Sequence, residues 1–228
     1  MNTFADRIIR FFNSLKNSNN LPPGIEVMNP YNNVETMEIV TSFYTKYYAD
    51  RNKRIYLVGI NPGRFGGGVT GIPFTDPINL QESCGIENSS VKRQELSSKF
   101  IYKLIASFGG EIKFFQNFFL TALYPLALIK NGNNYNYYDD KFTWSSLKPE
   151  IINLFEKQLE AGAERNVVIC LGKKNEKFLR EINNELKFFN EIITFEHPRY
   201  IMQYKLKSLD TYVNNYTEQL KKLTVKII

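Results

Sequence analysis

Apolar positions in the first fifteen residues recur at helical spacing, with Ala5, Ile8, Ile9, Phe12 and Leu15 on one face. Charges interrupt that stretch, so it reads as an amphipathic helix and not as a secretion signal. Asn17 to Tyr31, rich in Pro and Asn, reads as a connector. A second helix is predicted over Glu35 to Tyr48 and a first buried strand over Arg54 to Ile60. Leu96, Phe100, Ile101, Leu104, Ile105 and Phe108 mark a helix from Gln94 to Phe108, stopped by Gly109-Gly110. Phe118 to Leu123 reads as a second strand, followed by a Pro-broken segment. A helix is expected from Ser145 to Ala161, with Ser145 as its N-cap. Asn166 to Leu171 reads as a third strand, ending at Gly172 before a helix from Lys173 to Phe188. Glu191 to Phe195 reads as a fourth strand, and a final helix is expected from Ile201 to Leu223. No internal repeat is visible.

Short apolar strands separated by helices predict an α/β domain with a mostly parallel sheet. The 228 residues are enough for one domain with a sizeable core. Ligands of such sheets bind at the carboxyl ends of the strands. Three unusual segments fall there: a glycine loop after the first strand, a Pro-Leu segment after the second, and His197-Pro198-Arg199 after the fourth.

The glycine loop, GINPGRFGGGVTGIPF from Gly59 to Phe74, holds six glycines and two prolines in sixteen residues. That density excludes a regular helix or strand and suits a tight cradle whose backbone faces a ligand. Asn61, Arg64 and Phe74 add an amide, a cation and an aromatic face. Gly66, Gly68 and Gly71 formally match a dinucleotide fingerprint, but Pro73 and Pro77 follow where a helix should open. No Gly-Lys-Ser/Thr follows either, which excludes a phosphate-binding P-loop.

The net charge of +6 favours a polyanionic partner such as nucleic acid. His197 is the single histidine, at the functional edge and stiffened by Pro198. A basic and aromatic run follows it: Arg199, Tyr200, Met202, Tyr204, Lys205 and Lys207. It suits either the first turns of an amphipathic helix or an edge that grips phosphates and wedges bases. Asp139 and Asp140 lack the partners that a metal site needs. Cys84 and Cys170 are too few for a disulfide framework, and Cys170 lies in an apolar run that reads as core. No run of apolar residues is long enough to span a membrane, and a cytoplasmic monomer is expected.

GINPGRFGGGVTGIPF resembles the first motif of the single-strand-selective monofunctional uracil-DNA glycosylases, Gly-Met-Asn-Pro-Gly-x-Phe-Gly followed by Thr-Gly-Val-Pro-Phe. FFQNFFLTALYPL (Phe114 to Leu126) resembles the family strand that ends in a Cys-Pro-Leu-type turn. NVVICLGKKNEKFL (Asn166 to Leu179) resembles its strand–Gly–helix unit, and His197 to Arg199 a shortened His-Pro-Ser-Pro-Arg motif. The likeness covers roughly Ile55 to Tyr200 and leans toward a bacterial offshoot of the family.

The resemblance implies a three-layer α-β-α sandwich around a four-stranded, mostly parallel sheet. Residues 1–50, outside the likeness, are expected to be a helical extension packed on that domain. The resemblance also implies hydrolysis of the bond between a deaminated base and its sugar in DNA, with the nucleotide flipped into a pocket, and no cofactor or metal. On that reading Asn61 positions the attacking water and His197 stabilises charge on the departing base. Phe74 stacks on the base, backbone groups near Ile60 bind it, and Gly63 leaves room for a larger one. Arg64, Arg199, Tyr200, Met202 and Lys205 would contact the DNA, single-stranded for preference. Where the family carries a base-reading Asn, this chain has Ala122, preceded by Thr121. That departure widens the expected substrates from uracil to xanthine and hypoxanthine. It also leaves open a nucleic-acid-binding relative without activity. A nucleotide-binding enzyme is a further alternative.

Overall fold

The computed structural model describes residues 2–225. In chain order the elements are α1 (Phe4–Asn13), β1 (Ile25–Met28), α2 (Val34–Tyr47), β2 (Arg54–Gly59), α3 (Gly67–Thr70) and α4 (Pro77–Glu82). Then come α5 (Leu96–Phe108), α6 (Glu111–Asn117), β3 (Phe118–Ala122), β4 (Ala127–Lys130), β5 (Asn133–Tyr135) and α7 (Lys141–Leu159). The chain closes with β6 (Ala163–Leu171), α8 (Lys173–Leu186), β7 (Glu191–Phe195), α9 (Pro198–Tyr204) and α10 (Leu209–Val225).

Four strands form a parallel sheet in the order β3-β2-β6-β7. The two central strands are buried along most of their length, as a sheet covered on both faces requires. Strand alternation sorts β3 between two helical layers. Phe118 meets Phe108 of α5, while the next residue, Phe119, meets Phe4 of α1 and Tyr44 of α2. On the α5 side, Phe195 of β7 stacks on Tyr216 of α10 with ring centroids 4.1 Å apart. The parallel register sets Gly59 beside Ala122 and Leu171 beside Phe195, so these strands end along one edge.

Several elements depart from the sequence expectation. The connector after α1 contains β1, which joins β4 and β5 from the Pro-broken segment in a separate antiparallel sheet ordered β1-β4-β5. Strands of three or four residues carry too little periodicity to be read. The glycine loop does hold a helix, the single turn α3, and Pro77 opens α4 where an irregular chain was expected. Proline suits a first helical turn because its missing N–H would have no partner there. The N-cap of α7 is Asp140, which accepts from the Thr143 N–H at 2.8 Å, and Ser145 lies inside the helix. Asp139 accepts from Asn136, so this acidic pair is turn and cap chemistry. The expected final helix is two, α9 and α10, separated by a short 3-10 turn over Leu206–Ser208.

Gln158 of α7 is fully buried and braces the end of β3. Its Nε2 donates to the Ala122 carbonyl at 3.2 Å, its Oε1 accepts from the Thr121 hydroxyl, and its own carbonyl accepts from Tyr56 at 2.7 Å. Gln158→Leu would leave the Ala122 carbonyl and the Thr121 hydroxyl unpaired. It should lower the unfolding free energy by roughly 2–4 kcal/mol, read from urea denaturation; a change within error would show that those groups find other partners.

Candidate active site

A cavity of about 520 Å³ opens at the carboxyl edge of the parallel sheet. Its walls include Ile60, Asn61, Gly63 and Phe74 of the glycine loop, Ala122 at the end of β3, and His197, Arg199 and Tyr200 at the start of α9. The three loops singled out in the sequence therefore converge.

The loop is fixed by close packing. A Cβ on Gly59 would stand 2.5 Å from the Phe74 ring, so the ring lies directly on bare backbone. A Cβ on Gly68 would stand 2.8 Å from the Gly63 carbonyl. Phe74 itself has a φ of 60°, a left-handed conformation unusual for a bulky residue. Its neighbours hold it there. The Thr70 hydroxyl donates to the Thr75 carbonyl at 2.7 Å, and the Thr75 hydroxyl pairs with Tyr102 at 3.0 Å.

Asn61 is held by the small sheet. Its Nδ2 donates to the Tyr135 carbonyl of β5 at 3.0 Å, which fixes the orientation of the amide. The Oδ1 is buried without a hydrogen-bond partner. A buried acceptor left unpaired costs about 1–3 kcal/mol, and a bound water or substrate group would recover that cost. The neighbouring Arg64 N–H is held at 3.0 Å by the Asn134 side chain, also on β5.

His197 is the N-cap of α9, and its Nδ1 accepts from the Arg199 N–H at 3.1 Å. A neutral imidazole accepting at Nδ1 carries its proton on Nε2, so Nε2 is a donor. Burial, reinforced by the charge of Arg199, holds the imidazole pKa down to about 4. The ring is thus neutral at pH 7 and can donate without adding a charge. It lies 6.3 Å from the Phe74 ring between centroids.

The remaining predicted residues are distributed unevenly. Ala122 lines the cavity, whereas Thr121, one residue earlier on the strand, points its hydroxyl to Gln158 on the far face. Arg64 stacks on Phe65 with its guanidinium 4.4 Å from the ring centroid, outside the cavity wall. Met202 is only 7 % exposed and belongs to the core, so it does not stand at the DNA-facing edge expected of it. Lys205 is exposed at the end of α9 but does not line the cavity. Tyr204, 70 % exposed, and Gln203 take the rim position beside Tyr200. The lining residues that were not foreseen include Glu95 before α5, Asn134, and the rim lysines Lys173 and Lys174. Among the described residues no cluster of His, Cys, Asp or Glu could hold a metal.

The family model described as the Uracil DNA glycosylase superfamily matches residues 45–221. The chain belongs to the uracil-DNA glycosylase superfamily. The crystal structure of wild-type SMUG2 from Pedobacter heparinus is similar at 45 % identity and a TM-score of 0.94, covering 98 % of this chain and 99 % of that one. A search of curated proteins gave no match. The chain is accordingly a DNA glycosylase, a hydrolase of N-glycosyl bonds that acts on DNA, and its four-stranded fold matches the family's.

The neutral histidine has a measurable consequence for this glycosylase. As the only imidazole it gives an isolated NMR titration, expected near pH 4; an unfolded chain titrates near 6.5. The unfolded state therefore binds more protons between these values, and this residue's contribution to stability falls as pH drops through that window. A midpoint at or above 6.5 would contradict the partly buried, neutral ring.

Proposed function

We propose that this glycosylase removes deaminated bases, uracil and also xanthine or hypoxanthine, from DNA in base excision repair. It acts as a cytoplasmic monomer and prefers single strands. The observation that carries the reading is the pairing of the orphaned Asn61 Oδ1 with the neutral donor His197 across one cavity at the sheet edge.

The chemistry follows from what each group can do. A base flipped into the cavity stacks on Phe74, a contact worth roughly 1–3 kcal/mol. The C1′–N bond breaks with its electron pair leaving on the base, and positive charge develops on the sugar. Asn61 Oδ1 accepts a hydrogen bond from a water and aims its oxygen at C1′. An amide is a weak base, but a sugar cation with its bond mostly broken needs little proton removal. The water oxygen bonds C1′ and its proton passes to solvent. His197 Nε2–H donates to the base oxygen on which negative charge grows, and a neutral donor of this kind is strongest in a desolvated site.

The breadth of substrate is supported by Ala122, whose side chain has no polar atom with which to select uracil. Gly63 puts no side chain of its own into the cavity, and the space beside it is held by the Glu95 carboxyl. Preference for single strands is supported by the short link between β7 and α9, only Glu196 and His197. Little protrudes there to fill the gap that flipping leaves in a duplex.

Oligonucleotides bearing uracil, xanthine or hypoxanthine, incubated with the protein and then treated with alkali, should break at the damaged base, faster when single-stranded. Asn61→Ala and His197→Ala should each slow release by about 10²–10³-fold. Full activity in Asn61→Ala would remove the water-positioning role, and no breaks on any substrate would sink the reading.

A further inference from the structure

The cavity contains a carboxyl group that base release, as derived above, does not use. Glu95 sits at the N-terminal boundary of α5, where a side chain ordinarily turns back to cap the helix. This one makes no capping hydrogen bond. Its backbone N–H is held at 2.8 Å by Oδ2 of Asp76, a fully buried residue whose Oδ1 caps α4 by accepting from Asn79 N–H, also at 2.8 Å. The position of Glu95 is thus set by the end of the glycine loop.

The side chain reaches back under that loop. A Cβ on Gly63 would stand 1.9 Å from Glu95 Oε1, and one on Gly66 would stand 2.1 Å from Oε2. The carboxyl fills the volume that the two missing side chains vacate, and it lines the cavity. Among the described residues nothing hydrogen-bonds it. Burial pushes its pKa to about 7, with Arg199 of α9 opposing the shift and Asp76 adding to it. Near neutral pH it therefore offers a hydrogen-bond donor in one protonation state and an acceptor in the other. Asn175 spends its amide on the Val58 carbonyl and the Tyr137 hydroxyl, and Ala122 has nothing to offer.

We propose that Glu95 is a specificity-determining residue, whose carboxyl hydrogen-bonds the part of a flipped purine that extends past the reach of a pyrimidine toward Gly63. The inference rests on the base-release reading above. Its geometric basis is that the Glu95 carboxyl occupies the space beside Gly63 and Gly66, lines the cavity there and has no hydrogen-bond partner of its own.

Single-turnover release from single-stranded oligonucleotides bearing xanthine, hypoxanthine or uracil tests this with Glu95→Ala and Glu95→Gln. Glu95→Ala should lower purine release relative to uracil by about tenfold, the worth of one good hydrogen bond. In the unchanged protein purine release should bend near pH 7, and in Glu95→Gln, which cannot ionise, that bend should vanish. Thermal melting checks that the variants are folded; if Glu95→Ala is not, the isosteric Glu95→Gln decides by loss of the bend. An unchanged ratio, equal loss on all three bases, or a larger loss on uracil would overturn the proposal. An unchanged protein that releases no base overturns the glycosylase reading and the proposal with it. An active protein indifferent to position 95 overturns the proposal alone.

Discussion

The site depends on one close approach: the Phe74 ring resting on the bare backbone of Gly59. No other residue at position 59 leaves room for the ring, since even a methyl group would lie 2.5 Å from it. Phe74 occupies that seat with a left-handed backbone, at a cost of order 1–3 kcal/mol. The surrounding hydrogen bonds offset that cost. Thr70, Thr75 and Tyr102 tie the returning limb of the loop together, and Asp76 fastens its end to both α4 and the start of α5. A strand end, a strained turn and two helix starts are thereby fixed relative to one another. The depth of the cavity is a consequence.

Asn61 and His197, the proposed catalytic pair, are oriented by different parts of the fold. The small antiparallel sheet holds Asn61 through the Tyr135 carbonyl, while the parallel sheet delivers His197 at the end of β7 and the helix after it fixes the tautomer. Neither sheet contains the chemistry. It arises where they meet, because each satisfies one polar atom of a functional side chain and leaves the other without a hydrogen-bond partner. Burial then sets the charge state, keeping the imidazole neutral and making a carboxyl group reluctant to ionise.

Legibility in the sequence followed the strength of periodic signals. α5 and the four strands of the parallel sheet were recognisable because they are apolar and bounded by Gly, Pro or charge. The small sheet was not, for its strands are three or four residues long and partly exposed. Two misplaced site residues had a signal available. Thr121 and Ala122 are adjacent on a strand and must face opposite sides. On α9, Ile201 and Met202 face the core, so Tyr200, Gln203 and Tyr204 are the positions left for the rim. Glu95 had no such signal, because a glutamate at the start of a helix is ordinary, and nothing local shows that it reaches the glycine loop.

By itself the sequence pointed to the α/β class and to three loops at one sheet edge, and it singled out Asn61, Phe74 and His197 as candidates whose roles came from the family resemblance. These are consequences of local chemistry: glycine density, β-branched and aromatic runs, a lone imidazole held by proline. Only the tertiary structure decided that the Asn61 oxygen is left unpaired, that His197 is a neutral donor, and that a distant carboxyl fills the space above Gly63. Hydrogen-bond partners and burial belong to residues far apart in the chain, and those set what a side chain can do once it is in place.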